Sequence, residues 1–347
     1  MEQKKALIAM SGGVDSSVAA FLTRQAGFDC VGGTMQLLCG PSGDAEDARA
    51  VATRLGMDFH IFDMTNQFRR EVMDKFVHCY ETGLTPNPCV DCNRRLKFGA
   101  LLDAALDMGC EYVVTGHYAQ IEKENGRYLL KKAADISKDQ SYFLYALTQH
   151  QLAHTRFPLG ELTKEAARNI AEQQNFINAR KRDSQDICFI PGGDYFEFLQ
   201  AYTGKSYPGG DFLDAEGKVV GKHKGAVAYT RGQRKGLGLA MGQPVYVTGK
   251  DMQRNTVSVG SNEALFSTTL LANDWNFFPF DHLTAPIRCM AKARSRMVEQ
   301  PATVYPEENG ICRVVFEEPQ RAITTGQAVV LYDGDTVIGG GTITDIL

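Results

Sequence analysis

Three short stretches of this 347-residue chain combine residue types that could do chemistry. The first is Ser11-Gly12-Gly13-Val14-Asp15-Ser16-Ser17, placed between an apolar run and a helical pattern. A strand-to-helix junction aims backbone N–H groups and the positive end of a helix dipole at one point, which makes an anion site. Gly12 and Gly13 let the backbone approach phosphate oxygens, and the serines add hydroxyl donors. Neither G-x-x-x-x-G-K-[ST] nor G-x-G-x-x-G is present, so neither common nucleotide loop applies.

The second stretch is TPNPCVDCNRRLKFG, residues 85–99. Its prolines stiffen a loop that delivers Cys89 and Cys92 just before a helix. With Arg94, Arg95 and Lys97 close by, Cys92 is expected to have a lowered pKa and to be a good thiolate. The third is ARKRDSQDICFIPGGDY, residues 179–195, where Cys188 follows a basic run. Both Cys92 and Cys188 sit in polar, Gly/Pro-rich surroundings that fit a buried structural thiol poorly. Cys30, Cys39, Cys79, Cys110, Cys289 and Cys312 are read as small buried hydrophobes. A structural zinc wants four ligands as two close pairs, and only one C-x-x-C pair exists. Nine cysteines, an odd number, without an export signal also argue against a disulfide scaffold.

These residues must be positioned by the elements around them. Lys5–Met10 reads as a buried strand, followed by a helix from about Ser16 to Gln25. A strand (Cys30–Met35), a helix (Asp44–Leu55) and a strand (Asp58–Asp63) come next. A helix over Phe68–Tyr80, another after Asn93, and a strand over Glu111–Tyr118 complete an alternation that implies a parallel sheet covered on both faces. After about Pro191 the texture changes to glycine-punctuated short segments with DG and GD turns, which signal antiparallel β structure. The division expected is 1–195 for the α/β domain, 196–265 for a small linking domain and 266–347 for a β-barrel-like domain.

Composition narrows the class. Hydrophobic content of 44% and charged content of 22% describe an ordinary globular protein. The apolar run in MEQKKALIAM is too short for a signal-peptide core, and no stretch is long enough to span a bilayer. A soluble, cytoplasmic protein with no membrane association is expected. A formal charge of −4 excludes a uniformly basic nucleic-acid coat but not local patches, of which ARKR (179–182) and TRGQRKG (230–236) are two.

The hexapeptide SGGVDS resembles the pyrophosphate loop of the ATP pyrophosphatases, whose fold is that of the adenine nucleotide hydrolases. In order along nearly the whole chain, SGGVDSS, GTMQ (33–36), NPCVDCNRRLKF, VTGHYA, SKDQSYFL, DSQDICFI and YTRGQRKGLGL resemble the tRNA-specific 2-thiouridylase family. The resemblance implies a sulfurtransferase. ATP adenylates O2 of the wobble uridine, and sulfur from a cysteine persulfide replaces it, giving 2-thiouridine, AMP and pyrophosphate. It implies ATP contacts at Ala9, Met10, Ser11, Gly12, Gly13, Val14, Asp15 and Ser16, at Met35 and at Gly116. Asp15 would act through Mg²⁺, since an unpaired carboxylate would repel polyphosphate.

The match makes Cys92 the nucleophile and Cys188 the persulfide carrier, with a disulfide between them after transfer. It implies tRNA contacts at Asn87, Pro88, Cys89, His117, Lys138, Asp139, Gln140, Arg294, Ser295 and Gln327. Expected partners are tRNAs for Lys, Glu and Gln, and a cysteine desulfurase or sulfur-relay protein as donor. Many members carry aspartate where this chain has Cys89. Three cysteines, Cys89, Cys92 and Cys188, therefore raise the alternative of a [4Fe–4S] cluster with one open iron. Two other readings remain open: an amide- or guanidine-forming ligase of the same superfamily, and an RNA-binding module with ATP as structural ligand.

Overall fold

The computed structural model describes residues 3–40, 43–181 and 187–347, and the elements below are those of the described residues. Strands and helices first alternate: β1 (Lys5–Ala9), α1 (Val14–Gln25), β2 (Asp29–Gln36), α2 (Gly43–Arg54) and β3 (Phe59–Asp63). A long helix follows, formed by α3 (Thr65–Phe68), a π-helical stretch at Arg69–Met73 and α4 (Asp74–Glu81). A second is built the same way from α5 (Pro88–Cys92), a π-helical stretch at Asn93–Ala100 and α6 (Leu101–Asp107). Then come β4 (Tyr112–Val114), the hairpin β5 (Gln120–Glu124) and β6 (Arg127–Lys131), α7 (Gln149–Ala153), β7 (Thr155–Arg156) and α8 (Lys164–Gln173).

The first sheet has the order β3-β2-β1-β4-β7, with every pair parallel. Successive side chains of a strand face opposite ways. Ala6 and Ile8 accordingly pack with Val18, Ala48 and Val51 on one face, and Leu7 with Phe76, Leu96 and Leu101 on the other. Helices thus cover both faces, which is the doubly wound arrangement expected. No helix of the described residues is long and apolar enough to cross a membrane.

Two elements depart from the sequence reading. The strand expected over Glu111–Tyr118 stops at Val114 because Gly116 leaves the sheet to lie against the first turn of α1. The helix expected at Phe68 starts at Thr65, whose N–H is accepted by the Asp63 carboxylate at 3.0 Å.

Beyond α9 (Tyr195–Thr203), a small sheet contains β8 (Gly210–Leu213), β9 (Val219–His223), β10 (Tyr246–Asp251) and β11 (Thr256–Gly260), in the order β10-β11-β8-β9. The antiparallel expectation holds for both hairpins but not where they meet, since β11 runs parallel to β8. The long connection 224–245 crosses over between them, as a parallel pair requires.

The last unit is a closed antiparallel barrel of β12 (Phe266–Phe277), β13 (Ile287–Lys292), β14 (Gln300–Pro306), β15 (Cys312–Arg321), β16 (Ala328–Asp333) and β17 (Thr336–Ile346). Pairing of β12 with β17 closes it.

The barrel is joined to the first domain. Strand β17 pairs with β6 at Thr336 and Lys131, so the β5–β6 hairpin extends the barrel's sheet. Next to that pairing, the buried Lys132 ammonium donates to the Glu299 carboxylate at 2.8 Å and to the Gly334 carbonyl at 2.8 Å, above the Tyr332 ring. Removing Lys132 leaves the half-buried Glu299 with only the more distant Lys292, 3.5 Å away, as its cation. Lys132→Met is therefore expected to lower the unfolding midpoint reported by Trp275 in β12, the single tryptophan, by about 5 °C. An unchanged midpoint would mean that Lys132 adds nothing to the other contacts that hold the two units.

Candidate active site

The C-terminal ends of β1, β2 and β4 share one edge of the parallel sheet, and α1 begins there. Gly13 is its N-cap and offers no side chain. The Ser16 and Ser17 hydroxyls each donate back to the Gly13 carbonyl at 3.0 Å, and the Ser11 N–H donates to Ser16 Oγ at 3.2 Å. The first turn of α1 is therefore ordered by its own serines while no side chain caps its amides, the state suited to receive an anion. Ala9 ends β1, Met10 and Val14 are buried beneath the loop, and Met35 stands half-buried near the end of β2. Gly116 touches the first turn of α1: a Cβ there would lie 2.6 Å from the Asp15 carbonyl carbon.

Asp15, given only Mg²⁺ as a partner by the sequence reading, has protein partners in the fold. Lys164, the first residue of α8, donates its ammonium to both carboxylate oxygens at 2.8 Å, and the Tyr118 hydroxyl donates at 3.0 Å. Nothing in the local spacing announces Lys164, because only the fold brings α8 onto α1. Two more residues support the loop from beneath. Asn178 Nδ2 donates to the Gly12 carbonyl and to Ser17 Oγ, both at 2.9 Å. Lys181 reaches the Gly12 carbonyl at 3.3 Å while paired with Asp44 and Asp47 at 2.6 Å. Asn178 Oδ1 is buried with no hydrogen-bond partner among the described residues. Hydroxyls, uncapped amides and lysines form a donor set that fits a polyphosphate. Arg182 and the DSQD part of DSQDICFI, residues 183–186, lie outside the described residues.

The thiols are placed differently from the sequence reading. Asn87 is the N-cap and Pro88 the first residue of α5, so Cys89 and Cys92 lie inside a helix and not ahead of one. The Asn-Pro dipeptide was the available signal, since proline is favoured at that first position. Cys92 is buried in the cluster of Val72, Phe76, Leu96 and Phe189. The expectation of a lowered pKa is overturned. Burial pushes Cys92 up and Lys97 opposes it only in part, while Arg94 turns away to pair with Asp274 at 2.5 Å. Cys89 reaches solvent from a dense crevice that likewise pushes its thiol up. Cys188 is pushed up to about 11, first by burial and then by the charges of Cys92 and Cys89. Cys188, far along the chain from Cys89 and Cys92, thus lies within the field of both.

The residue after Cys188 fixes that arrangement. The Phe189 ring packs edge-on against Phe68 and Phe76 and beside Phe198, at centroid distances of 5.6, 5.3 and 5.2 Å. Among the described residues no three His, Cys, Asp or Glu side chains stand together as metal ligands, so the three cysteines do not form a cluster cradle as they stand. Of the six cysteines read as buried, Cys39 is exposed and Cys289 half-buried; Cys39 lies on the segment past the end of β2.

The remaining positions divide. The His117 ring lies between Phe98 and Phe157 with Nδ1 2.7 Å from Thr115 Oγ1, and burial holds it well below the usual imidazole range, so it is neutral at pH 7. The Asp139 carboxylate accepts from Ala133 N–H, Ser141 N–H and the Ser141 hydroxyl, which shapes its loop beside the half-buried Lys138. Gln140 Oε1 accepts from the Tyr118 N–H at 3.0 Å. Arg294, beside the half-buried Ser295, donates to the Arg321 carbonyl, and its charge reaches Tyr142. Gln327 donates to the segment that leads into α5. In TRGQRKG, Arg231 is tied to the carbonyls of Thr248 and Ala264, whereas Arg234 and Lys235 are exposed, with Arg234 lining an open groove of about 410 Å³.

Residues 4–192 match a family described as the tRNA methyl transferase HUP domain, 196–261 the tRNA methyl transferase PRC-barrel domain, and 267–343 the aminomethyltransferase beta-barrel domain. The chain is 46% identical over 352 residues to the tRNA-specific 2-thiouridylase MnmA of Clostridium acetobutylicum, covering 98% of this chain and 99% of that one. It is 47% identical over 360 residues to the protein of the same name from Clostridium perfringens, covering all of both. A 4-thiouridine synthetase in complex with RNA and ATP superposes with a TM-score of 0.37 at 17% identity, over 58% of this chain and 50% of that one.

The thiol environment has a measurable consequence. A raised pKa leaves Cys188 almost wholly protonated at neutral pH, and its thiolate fraction grows about tenfold per pH unit until that pKa is reached. Iodoacetamide labelling of Cys188 in the nucleotide-free protein is expected to climb through pH 9 without levelling. A plateau below pH 8 would mean that the nearby cations outweigh burial.

Proposed function

The chain belongs to the tRNA-specific 2-thiouridylase family, and from that premise we propose that it makes 2-thiouridine at the wobble position of tRNA, using ATP and a cysteine persulfide. Two observations carry the reading: the uncapped start of α1 at the C-terminal edge of the parallel sheet, and Cys188 lying within the field of Cys92 and Cys89. A pyrimidine carbonyl oxygen is a poor leaving group until it is phosphorylated. In the reaction, uridine O2 attacks the α-phosphorus of ATP, the bond to the β-phosphate oxygen breaks, and pyrophosphate leaves. The uncapped start of α1, with Ser11 and Ser16, is where we place the β- and γ-phosphates, and Met35 and Gly116 flank the nucleoside. Asp15 would hold Mg²⁺, which neutralises the phosphates when bound.

Sulfur follows as a persulfide on Cys188. Its terminal sulfur attacks C2, and AMP departs with the original O2. The Cys92 thiolate then attacks Cys188 Sγ, which frees the thiocarbonyl and leaves a Cys92–Cys188 disulfide for a thiol reductant. Burial that keeps Cys92 neutral suits a group that must not attack the activated uridine early. To His117, neutral and packed on aromatic rings, we assign contact with the flipped nucleotide rather than with a phosphate.

Within this reading the domains divide at 1–195, 196–265 and 266–347, the barrel loop at Arg294 and Ser295 faces tRNA, and exposed Arg234 meets its phosphates. The acceptors are tRNAs for Lys, Glu and Gln. The donor is a desulfurase or relay protein, and the reaction is cytoplasmic.

Incubating wobble-U tRNA with the enzyme, ATP, Mg²⁺ and a persulfide source is expected to yield 2-thiouridine by nucleoside mass spectrometry, with AMP and pyrophosphate in equal amounts. Asp15→Ala should abolish both nucleotide products while tRNA still binds. Cys188→Ser should adenylate without thiolating. Full thiolation by either variant would overturn these assignments.

A further inference from the structure

The segment that leads into the thiol-bearing helix is gripped by the barrel at Thr85 and Pro86. Gln327 Nε2 donates to the carbonyls of Thr85 and Pro86, each at 3.0 Å. The Thr85 N–H donates to the Thr325 carbonyl at 2.9 Å. Gly326 lies between these contacts with φ of +87°, and a Cβ there would come within 2.9 Å of both the N and the O of Thr85. Only glycine permits that approach. The turn itself is stitched into β17, since Gly326 N–H donates to the Ile343 carbonyl and Ile343 N–H to the Gln327 carbonyl, both at 2.8 Å. Thr85 Oγ1 is buried with no partner among the described residues, so the segment is held through its backbone. A second grip lies just past Cys92, where Asp274 of β12 takes the Arg94 guanidinium at 2.5 and 3.3 Å.

We propose that Gln327 is a positioning residue for sulfur transfer: with Thr325 and Gly326 it clasps Thr85–Pro86 and sets where Asn87–Cys92 stand over the bound uridine. The inference rests on the thiouridylase reading and gives the barrel a part in the geometry of the reaction beyond docking. A primary amide has two N–H groups, and here both serve the clasp, leaving only Oε1 to meet RNA. The reaction tolerates little displacement, because O2 must reach the α-phosphorus and C2 must then reach sulfur. A shift of about 1 Å in such a geometry costs on the order of a hundredfold in rate.

Gln327→Met keeps the length of the side chain and removes both donors; Gly326→Ala pushes on Thr85 from the same turn by a different route. Three quantities distinguish positioning from simple RNA contact: tRNA affinity, the thiolation rate at saturating tRNA, and Cys92 alkylation in the tRNA-free enzyme. For Gln327→Met the expected result is a tRNA Kd within about twofold of wild type, a kcat lower by roughly tenfold to a hundredfold, and faster Cys92 alkylation. Hydrogen exchange at Asn87–Cys92 should rise in parallel. A weakened Kd with unchanged kcat would reduce Gln327 to an RNA contact and overturn the proposal. So would unchanged alkylation and exchange, whatever the activity. Alkylation and exchange need no tRNA, so they report on the clasp even if the wild-type chain failed to thiolate.

Discussion

The start of α1 must present uncapped amides to a polyanion while carrying a carboxylate in the same turn, and Lys164 makes that combination stable. Without the 2.8 Å ion pair, Asp15 would repel the anion that the helix dipole attracts. The pair also fixes what surrounds it. Tyr118 bonds Asp15 through its hydroxyl and Gln140 through its backbone. Asp139 folds the adjoining loop back onto Ala133, beside Lys132, which reaches Glu299 and Gly334 of the barrel unit. One series of short polar contacts therefore runs from the anion site to the barrel and ties the two into one frame.

The thiol chemistry is governed by a different force. Helix position and nearby cations would favour thiolates, but desolvation wins at Cys92, Cys89 and Cys188 alike. Phe189, locked among Phe68, Phe76 and Phe198, keeps Cys188 near the other two without a covalent tie. The resting site thus stores sulfur nucleophiles in protonated form next to a helix that two barrel contacts hold in place. Reactivity then depends on what the substrates bring, which suits a reaction whose activated intermediate is open to attack by water or a stray thiol.

Much of this was legible in the chain. The parallel sheet followed from buried strands alternating with helices, and the loop at Ser11–Ser17 from its glycines and serines at a strand-to-helix junction. Element ends were less so. The strand at Tyr112 ends four residues before the expected Tyr118, because the β-prone Thr115 and Tyr118 suggest a continuing strand while Gly116 is drawn to Asp15. The helix of the thiols was begun too late because Asn87-Pro88 was read as a loop when it is a cap and first turn. Lys164, Asn178 and the backbone clasp at Thr85 could not be found, since each joins residues far apart in sequence through tertiary packing alone. The raised thiol pKa values were missed for the same reason: charge is visible in a sequence, and burial is not.

The central claim is that uridine O2 is converted into part of a phosphate before sulfur arrives. A tRNA carrying ¹⁸O at O2 of the wobble uridine, given ATP and persulfide-loaded enzyme, tests it in a single turnover. Mass spectrometry of the released AMP should find the label in its phosphate, one atom for each 2-thiouridine formed. Unlabelled AMP, with the ¹⁸O recovered in water or in pyrophosphate, would contradict adenylation of the base oxygen.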